Sequence, residues 1–260
     1  MIATVQLEEM TQAASTNQPT NPHMYTLPDT EPMENLCGTR IRVASGSDRT
    51  ATIGGTVIID GVYYALTALN PFIQDIRITP DGDRRRYRVD FRSDTMYRYA
   101  TDGDDNHAVG YLPEYQDTGM LDPIYWSLEQ DWALFRLCDQ SPKCNRLQIG
   151  GWLMLSPSKV SKTSPRGTLW CLLGSSPRHP VRTDAFRLGY HLTAAYQYHL
   201  SMVSFPKDIG AWVVDAGAHG ALYCMVVGQD DSDMTTYAVS AADIFRELHK
   251  RFPASPISIA

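Results

Sequence analysis

The sequence predicts an all-β protein closed by a C-terminal helix, and three patterns predict it. Short runs of alternating apolar and polar residues recur along the chain, bounded by clusters of Gly, Pro, Asn, Asp and Ser. Asp60-Gly61 joins two such runs in the manner of a tight hairpin. Near the end, Ile244, Phe245, Leu248 and Phe252 fall at helical spacing.

The chain has 260 residues, 43% hydrophobic and 20% charged, which is enough for a sizeable core and for one all-β unit of two barrels. The net charge of -6 comes from scattered acids, without the basic surface a phosphate backbone requires, so nucleic acid is excluded as an expected partner. The first ten residues carry no basic leader or apolar signal run, and the longest apolar run, residues 221–227, is too short to cross a bilayer. A cytoplasmic protein without a membrane partner is expected. The five cysteines are odd in number and lack metal-type spacing, so neither a zinc site nor a complete disulfide framework is indicated, and no metal or cofactor is expected. Cys138 and Cys144 are close enough in sequence to pair; the other reading is five free thiols in a reducing compartment.

Residues 1–36 are rich in Thr, Gln, Asn and Pro and lack apolar periodicity, so a polar tail is expected there. From Ile41 the pattern becomes strand-like: residues 41–44 alternate, 45–48 supply a turn, and 50–59 lead to the Asp60-Gly61 turn. Residues 62–70 form the returning strand. Strand-like segments follow at 76–78, 87–91 and 96–99, with turns at 80–83 and 101–106. The Arg84-Arg85-Arg86 run reads as a solvated hairpin edge, with an anion site as the alternative. The acidic loop 102–106 has oxygen ligands but lacks the later glutamate of a calcium loop, and reads as a plain turn. Beyond Asp131-Trp-Ala-Leu-Phe-Arg-Leu and a link at 142–145, strands are expected at 148–155, 168–173, 186–188, 196–203, 221–228 and 237–240. Ser-, Pro- and Gly-rich loops at 156–167 and 174–183 separate them. A helix at 241–252 and a tail at 253–260 complete the chain.

Three segments jointly resemble the trypsin-like serine proteases. Phe205-Pro-Lys-Asp-Ile-Gly-Ala-Trp-Val-Val-Asp-Ala stands where that family carries Gly-Asp-Ser-Gly, and an intracellular fungal subgroup reads Gly-Asp-Ser-Gly-Ser-Trp-Val-Val-Asp. Asp208, Gly210, Trp212, Val213, Val214 and Asp215 agree, whereas Lys207 replaces a glycine and Ile209 the catalytic serine. Leu66-Thr-Ala-Leu-Asn70 is similar to Leu-Thr-Ala-Ala-His, with Asn70 in place of the catalytic histidine. Asp131-Trp-Ala-Leu keeps the triad aspartate. Asn70, Asp131 and Ile209 follow the family's order of base, acid and nucleophile with comparable separations.

The resemblance covers about residues 37–252. It implies two six-stranded antiparallel β-barrels of the trypsin-like serine protease fold, at 37–142 and 143–240, followed by the helix. Residues 221–228 would then line the specificity pocket. Ile53-Gly54-Gly55 is similar to the N-terminus released when secreted trypsins are activated, but it lies inside an expected strand and is given no activation role.

An isoleucine cannot attack a carbonyl, and an asparagine cannot take up a proton near neutral pH. The family's oxyanion donors are the N–H groups at the positions of Lys207 and Ile209, and a lysine resists the backbone that glycine permits there. No motif brings Ser201, Ser204, His191, His199, Cys171 or Cys224 in as substitutes, and each reads as structural. The resemblance therefore implies a pseudoprotease, catalytically dead, that binds a peptide, a protein partner or a small hydrophobic molecule in the former cleft. Ile209, Val203, Gly210, Met225, Val226 and Val227 would form the binding surface. The alternative is a repurposed enzyme that cyclises or isomerises a small hydrophobic substrate, with Asp131, Asn70, Lys207 and Asp208 as its catalytic groups. A third reading is a regulatory module of a larger protein. Ile209 either lines an apolar pocket or plugs one.

Overall fold

The computed structural model describes residues 33–44, 48–81, 84–99, 107–113, 124–149, 153–162, 168–171, 173, 181–187, 198–202, 205–215, 220–230 and 235–260. For 78–81, 84–88, 148–149, 153–154 and 187 it describes the backbone alone. Residues 33–260 belong to one compact unit. The expected tail to residue 32, the turn at 101–106, His191, Val203 and Ser204 lie outside the described residues.

Strands β1 (Glu34–Asn35), β2 (Thr39–Arg42), β3 (Thr50–Ile53), β4 (Gly55–Ile59) and β5 (Val62–Thr67) open the fold. They are followed by β6 (Ile73–Asp81), β7 (Arg84–Phe91), β8 (Thr95–Arg98), β9 (Ala108–Tyr111), β10 (Trp126–Ser127) and β11 (Trp132–Leu137). Next come β12 (Lys143–Cys144), β13 (Leu147–Ile149), β14 (Leu153–Leu155), β15 (Leu169–Cys171), β16 (Val181–Thr183) and β17 (Ala185–Arg187). The chain ends with β18 (Tyr198–Leu200), β19 (Trp212–Asp215), β20 (Ala221–Asp230), β21 (Thr235–Ser240), helix α1 (Ala241–Arg251) and β22 (Ile257–Ile259).

Two large antiparallel sheets result, as expected for a two-barrel fold. The first runs β22-β4-β5-β11-β9-β8-β2-β3 with β10 added on β11, and the second β16-β15-β19-β20-β21-β18-β17. Their nine and seven strands exceed six apiece because short edge pieces join in. One is β22: residues 257–259, within the segment expected as a tail, pair with β4, and Ala260 N–H donates to Thr56 O. Buried Asn145 fastens this edge, its side chain bonding Thr56 N–H, Thr56 O and Ala260 O. Hairpin β6-β7 stands outside both sheets.

The side-chain period of two explains where the cores lie. On β11, Ala133, Phe135 and Leu137 face the first barrel's core, while Trp132 and Leu134 face the seam between barrels. On β20, Cys224 and Val226 face the second barrel's core, while Met225 and Val227 join the seam. Helix α1 adds Ile244, Phe245 and Leu248 to that seam. Strands buried on both faces therefore read as nearly continuous apolar runs.

At the predicted hairpin Asp60 and Gly61 have φ of 53° and 76°, the left-handed pair that a tight two-residue turn demands. The expected strand at 50–59 is interrupted at Gly54, because Gly54 and Gly55 lie directly beneath the Trp212 ring. A Cβ on Gly54 would stand 2.1 Å from that indole.

Candidate functional site

Asp131 enters β11 with φ of 48°, a left-handed conformation uncommon outside glycine. This turns its carboxyl back onto the end of β5. Oδ1 accepts the backbone N–H of Asn70 at 2.6 Å and of Leu69 at 3.1 Å, and the main-chain oxygen also accepts from Leu69 at 3.3 Å. The residue is only 7% exposed. Burial pushes its pKa up to about 7, against the two amide bonds that favour the ionised form. Asn70 itself is exposed, at the start of the 3-10 turn Asn70–Phe72 that ends the β5 segment. Asn70 therefore meets Asp131 through its main chain.

The second half of the site is the 3-10 turn Pro206–Asp208. Proline favours the first position of such a turn because it has no N–H to lose there. Asp208, wholly buried, caps the turn by accepting the Phe205 N–H at 2.9 Å. The turn closes when Ile209 N–H donates to Pro206 O at 3.4 Å. That amide, one of the two implied oxyanion donors, is consumed within its own turn.

Glycine is required at 210. Its φ is 102°, and a Cβ would lie 2.1 Å from Thr52 O and 2.3 Å from Thr67 Oγ1. Thr52 clamps the turn from the first barrel: its N–H donates to Ile209 O at 2.9 Å and its hydroxyl to Lys207 O at 2.7 Å. These contacts carry the Ile209 turn to the end of β5 that also presents Leu69 and Asn70 to Asp131. The three triad-related positions share one neighbourhood.

Ile209 is half-buried and packs on the seam core of Ala68, Trp132, Trp212, Met225 and Val227. Met225, Val226 and Val227 are at most 1% exposed and belong to the cores, so they do not present side chains to an open cleft. Gly210 is likewise buried. Lys207 is half-buried, its ammonium 5.2 Å from the centre of the Phe205 ring, which is 49% exposed. Thr52, Phe205 and Pro206 carry no motif that marks them beforehand; Pro206 ahead of Lys-Asp was the available signal for a tight turn.

The described substitute groups are structural. Cys171 and Cys224 are wholly buried with thiols pushed up by desolvation, and the His199 ring lies tilted against Phe186, 5.9 Å between centroids. All five cysteines are free thiols. Among the described residues no three His, Cys, Asp or Glu side chains gather to hold a metal ion. A cavity of about 230 Å³ lies elsewhere, lined in part by Glu34, Arg98, Cys138, Asp139 and Lys143. Its charges are mutually paired: Glu34 bridges Arg98 and the buried Lys143, which also reaches Asp139.

No protein-family model and no curated protein sequence matches this chain. Solved structures do. An alpha-lytic protease homolog aligns over 88% of this chain and 100% of its own, with a TM-score of 0.53 and 15% identity. A glutamic acid-specific serine protease, described as using a histidine triad in substrate binding, aligns over 86% and 99%, with a TM-score of 0.56 and 11% identity. The chain has the chymotrypsin-like double-barrel fold of the serine proteases. At these identities the likeness is one of fold. Among the described residues no helix is long and apolar enough to cross a membrane.

Proposed function

We propose that this protein is a catalytically inactive member of the trypsin-like fold that binds a ligand or partner at the former active site. The observation that carries this reading is the Ile209 turn. Its side chain has no nucleophilic atom and its N–H is bonded to Pro206 O, so that position supplies neither attack nor oxyanion stabilisation. Asn70 in place of a base removes the proton acceptor as well. What remains at the surface is a mixed patch: exposed Phe205, half-buried Lys207 and Ile209, and exposed Asn70. Such a patch suits a peptide segment, a protein partner or a small apolar molecule with a few polar groups. Amide shift mapping with a library of short peptides and small apolar compounds tests the location. Shifts centred on Phe205, Lys207, Ile209 and Asn70 are expected, and binding confined to another face would overturn the assignment.

One observation favours a second reading, a non-hydrolytic enzyme acting on a small hydrophobic substrate by cyclisation or isomerisation. Asp131 is a buried carboxyl whose pKa, about 7, suits proton transfer near neutrality. In that case the rate of the reaction has an inflection near pH 7 that Asp131→Asn removes. A flat profile through that range argues against this role.

A further inference from the structure

Arg40, half-buried on β2, carries a charge that the described fold does not answer. Its guanidinium lies over the Tyr99 ring, 3.6 Å from the ring centre, and its Nε is buried without an acceptor. The terminal nitrogens have no hydrogen-bond or carboxylate partner among the described residues either. Stacking on the tyrosine fixes the plane of the group and covers one face, which leaves the edge of terminal N–H donors open. Lys207 is a second such cation: its ammonium sits over the Phe205 ring, and no carboxylate among the described residues meets it.

Thr52 joins the two cations. Arg40 and Thr52 are cross-strand partners on β2 and β3. The Thr52 N–H donates away from β2, to Ile209 O, so the pair is of the non-hydrogen-bonded kind, in which Cα atoms stand about 4.5 Å apart and side chains come closest. Ile41, Ala51 and Ile53 face the first barrel's core, which puts Arg40 and Thr52 together on the opposite face. There the Thr52 hydroxyl donates to Lys207 O at 2.7 Å. Two cations without anions thus flank one threonine at the Ile209 turn, with exposed Phe205 beside them. We propose that Arg40 and Lys207 form an anion site that receives a carboxylate from a short acidic peptide segment bound at the former active site. A planar carboxylate accepts two N–H groups from the open guanidinium edge, and the ammonium adds a point charge. Phe205 and Ile209 offer an apolar surface to the stems of the acidic side chains. A long polyanion is repelled by the remainder of a chain whose net charge is -6. The proposal rests on the reading of the former active site as a binding site, and it names the class of ligand.

Acetylated and amidated tetraglutamate, whose only carboxylates are side chains, is titrated into the full chain at neutral pH, with tetraglutamine of the same ends as its uncharged counterpart. Amide shifts at Arg40, Thr52, Tyr99 and Lys207 report the location. Saturable binding is expected, weaker by at least about tenfold for tetraglutamine and by about tenfold in each of Arg40→Gln and Lys207→Gln. Lys250→Gln, which removes an exposed cation on α1, leaves it unchanged. Absence of saturation, equal binding of the two peptides, equal losses in all three variants, or displacement of tetraglutamate more readily by inorganic phosphate than by succinate overturns the proposal. If a variant fails to fold, the two peptides compared on the unaltered chain decide. Neutral peptides or apolar compounds that shift Phe205, Ile209 and Asn70 while tetraglutamate does not bind would defeat this proposal and leave the broader reading standing. Binding of every probe to another face would defeat both, so the two failures are distinguishable.

Discussion

Across 2.6 Å the backbone N–H of Asn70 donates to Asp131 Oδ1, so the carboxyl that enters β11 is held by the main chain at the end of β5. A side chain is not needed to keep the carboxyl in place. Its protonation is then set chiefly by burial.

Stability should depend on pH through Asp131. Its folded pKa, about 7, lies above the ordinary value of 3.8, so the native state binds the extra proton between those limits. The contribution is fully present below about pH 4 and lost as pH rises to 7, on the order of 4 kcal/mol. Denaturant unfolding of the unaltered chain and Asp131→Asn should show a difference that changes across this window and levels off above it. A constant difference from pH 4 to 8 would contradict the assignment.

Gly210→Ala should destabilise the fold by more than about 3 kcal/mol, because it combines a left-handed φ with backbone contacts at 2.1 Å. Thermal unfolding gives the value. Gly61→Ala is the control: it shares the positive φ but meets nothing within 4 Å, so it should cost only about 1 kcal/mol.

Asn145→Ala should cost about 2–3 kcal/mol by leaving the Thr56 amide donor and the Thr56 and Ala260 carbonyls short of a partner. Hydrogen exchange should accelerate first at Ser258 and Ala260, on the edge strand that this side chain fastens.

Introducing a histidine and a serine at these positions should not confer proteolysis. In Asn70→His with Ile209→Ser the amide of residue 209 still donates to Pro206 O, so the oxyanion lacks a donor that contributes about 3 kcal/mol or more. Ester hydrolysis by the double variant should stay at the buffer rate.

Much of this was legible in the sequence. The Asp60-Gly61 hairpin, Asp131 ahead of an apolar strand, Trp212–Asp215 and the helix periodicity each follow from short-range rules that the tertiary structure obeys. The neighbourhood of Asn70, Asp131 and Ile209 was legible because resemblance supplies long-range order that periodicity cannot. The remainder depends on partners distant in sequence. Ile257-Ser-Ile is too short to mark a strand until β4 offers an edge, and the Ile209 amide is committed by a backbone turn that side-chain patterns do not encode. Met225 and Val227 look like cleft walls in one dimension and are seam core in three, since strands of both barrels and α1 cover them.

The central claim is that this double barrel carries no hydrolytic chemistry at Asn70, Asp131 and Ile209. Incubating the purified chain with peptide and ester substrates, alongside Asp131→Ala, tests it most directly. The account predicts cleavage at the buffer rate for both proteins; turnover by the unaltered chain that falls on Asp131→Ala substitution would contradict it.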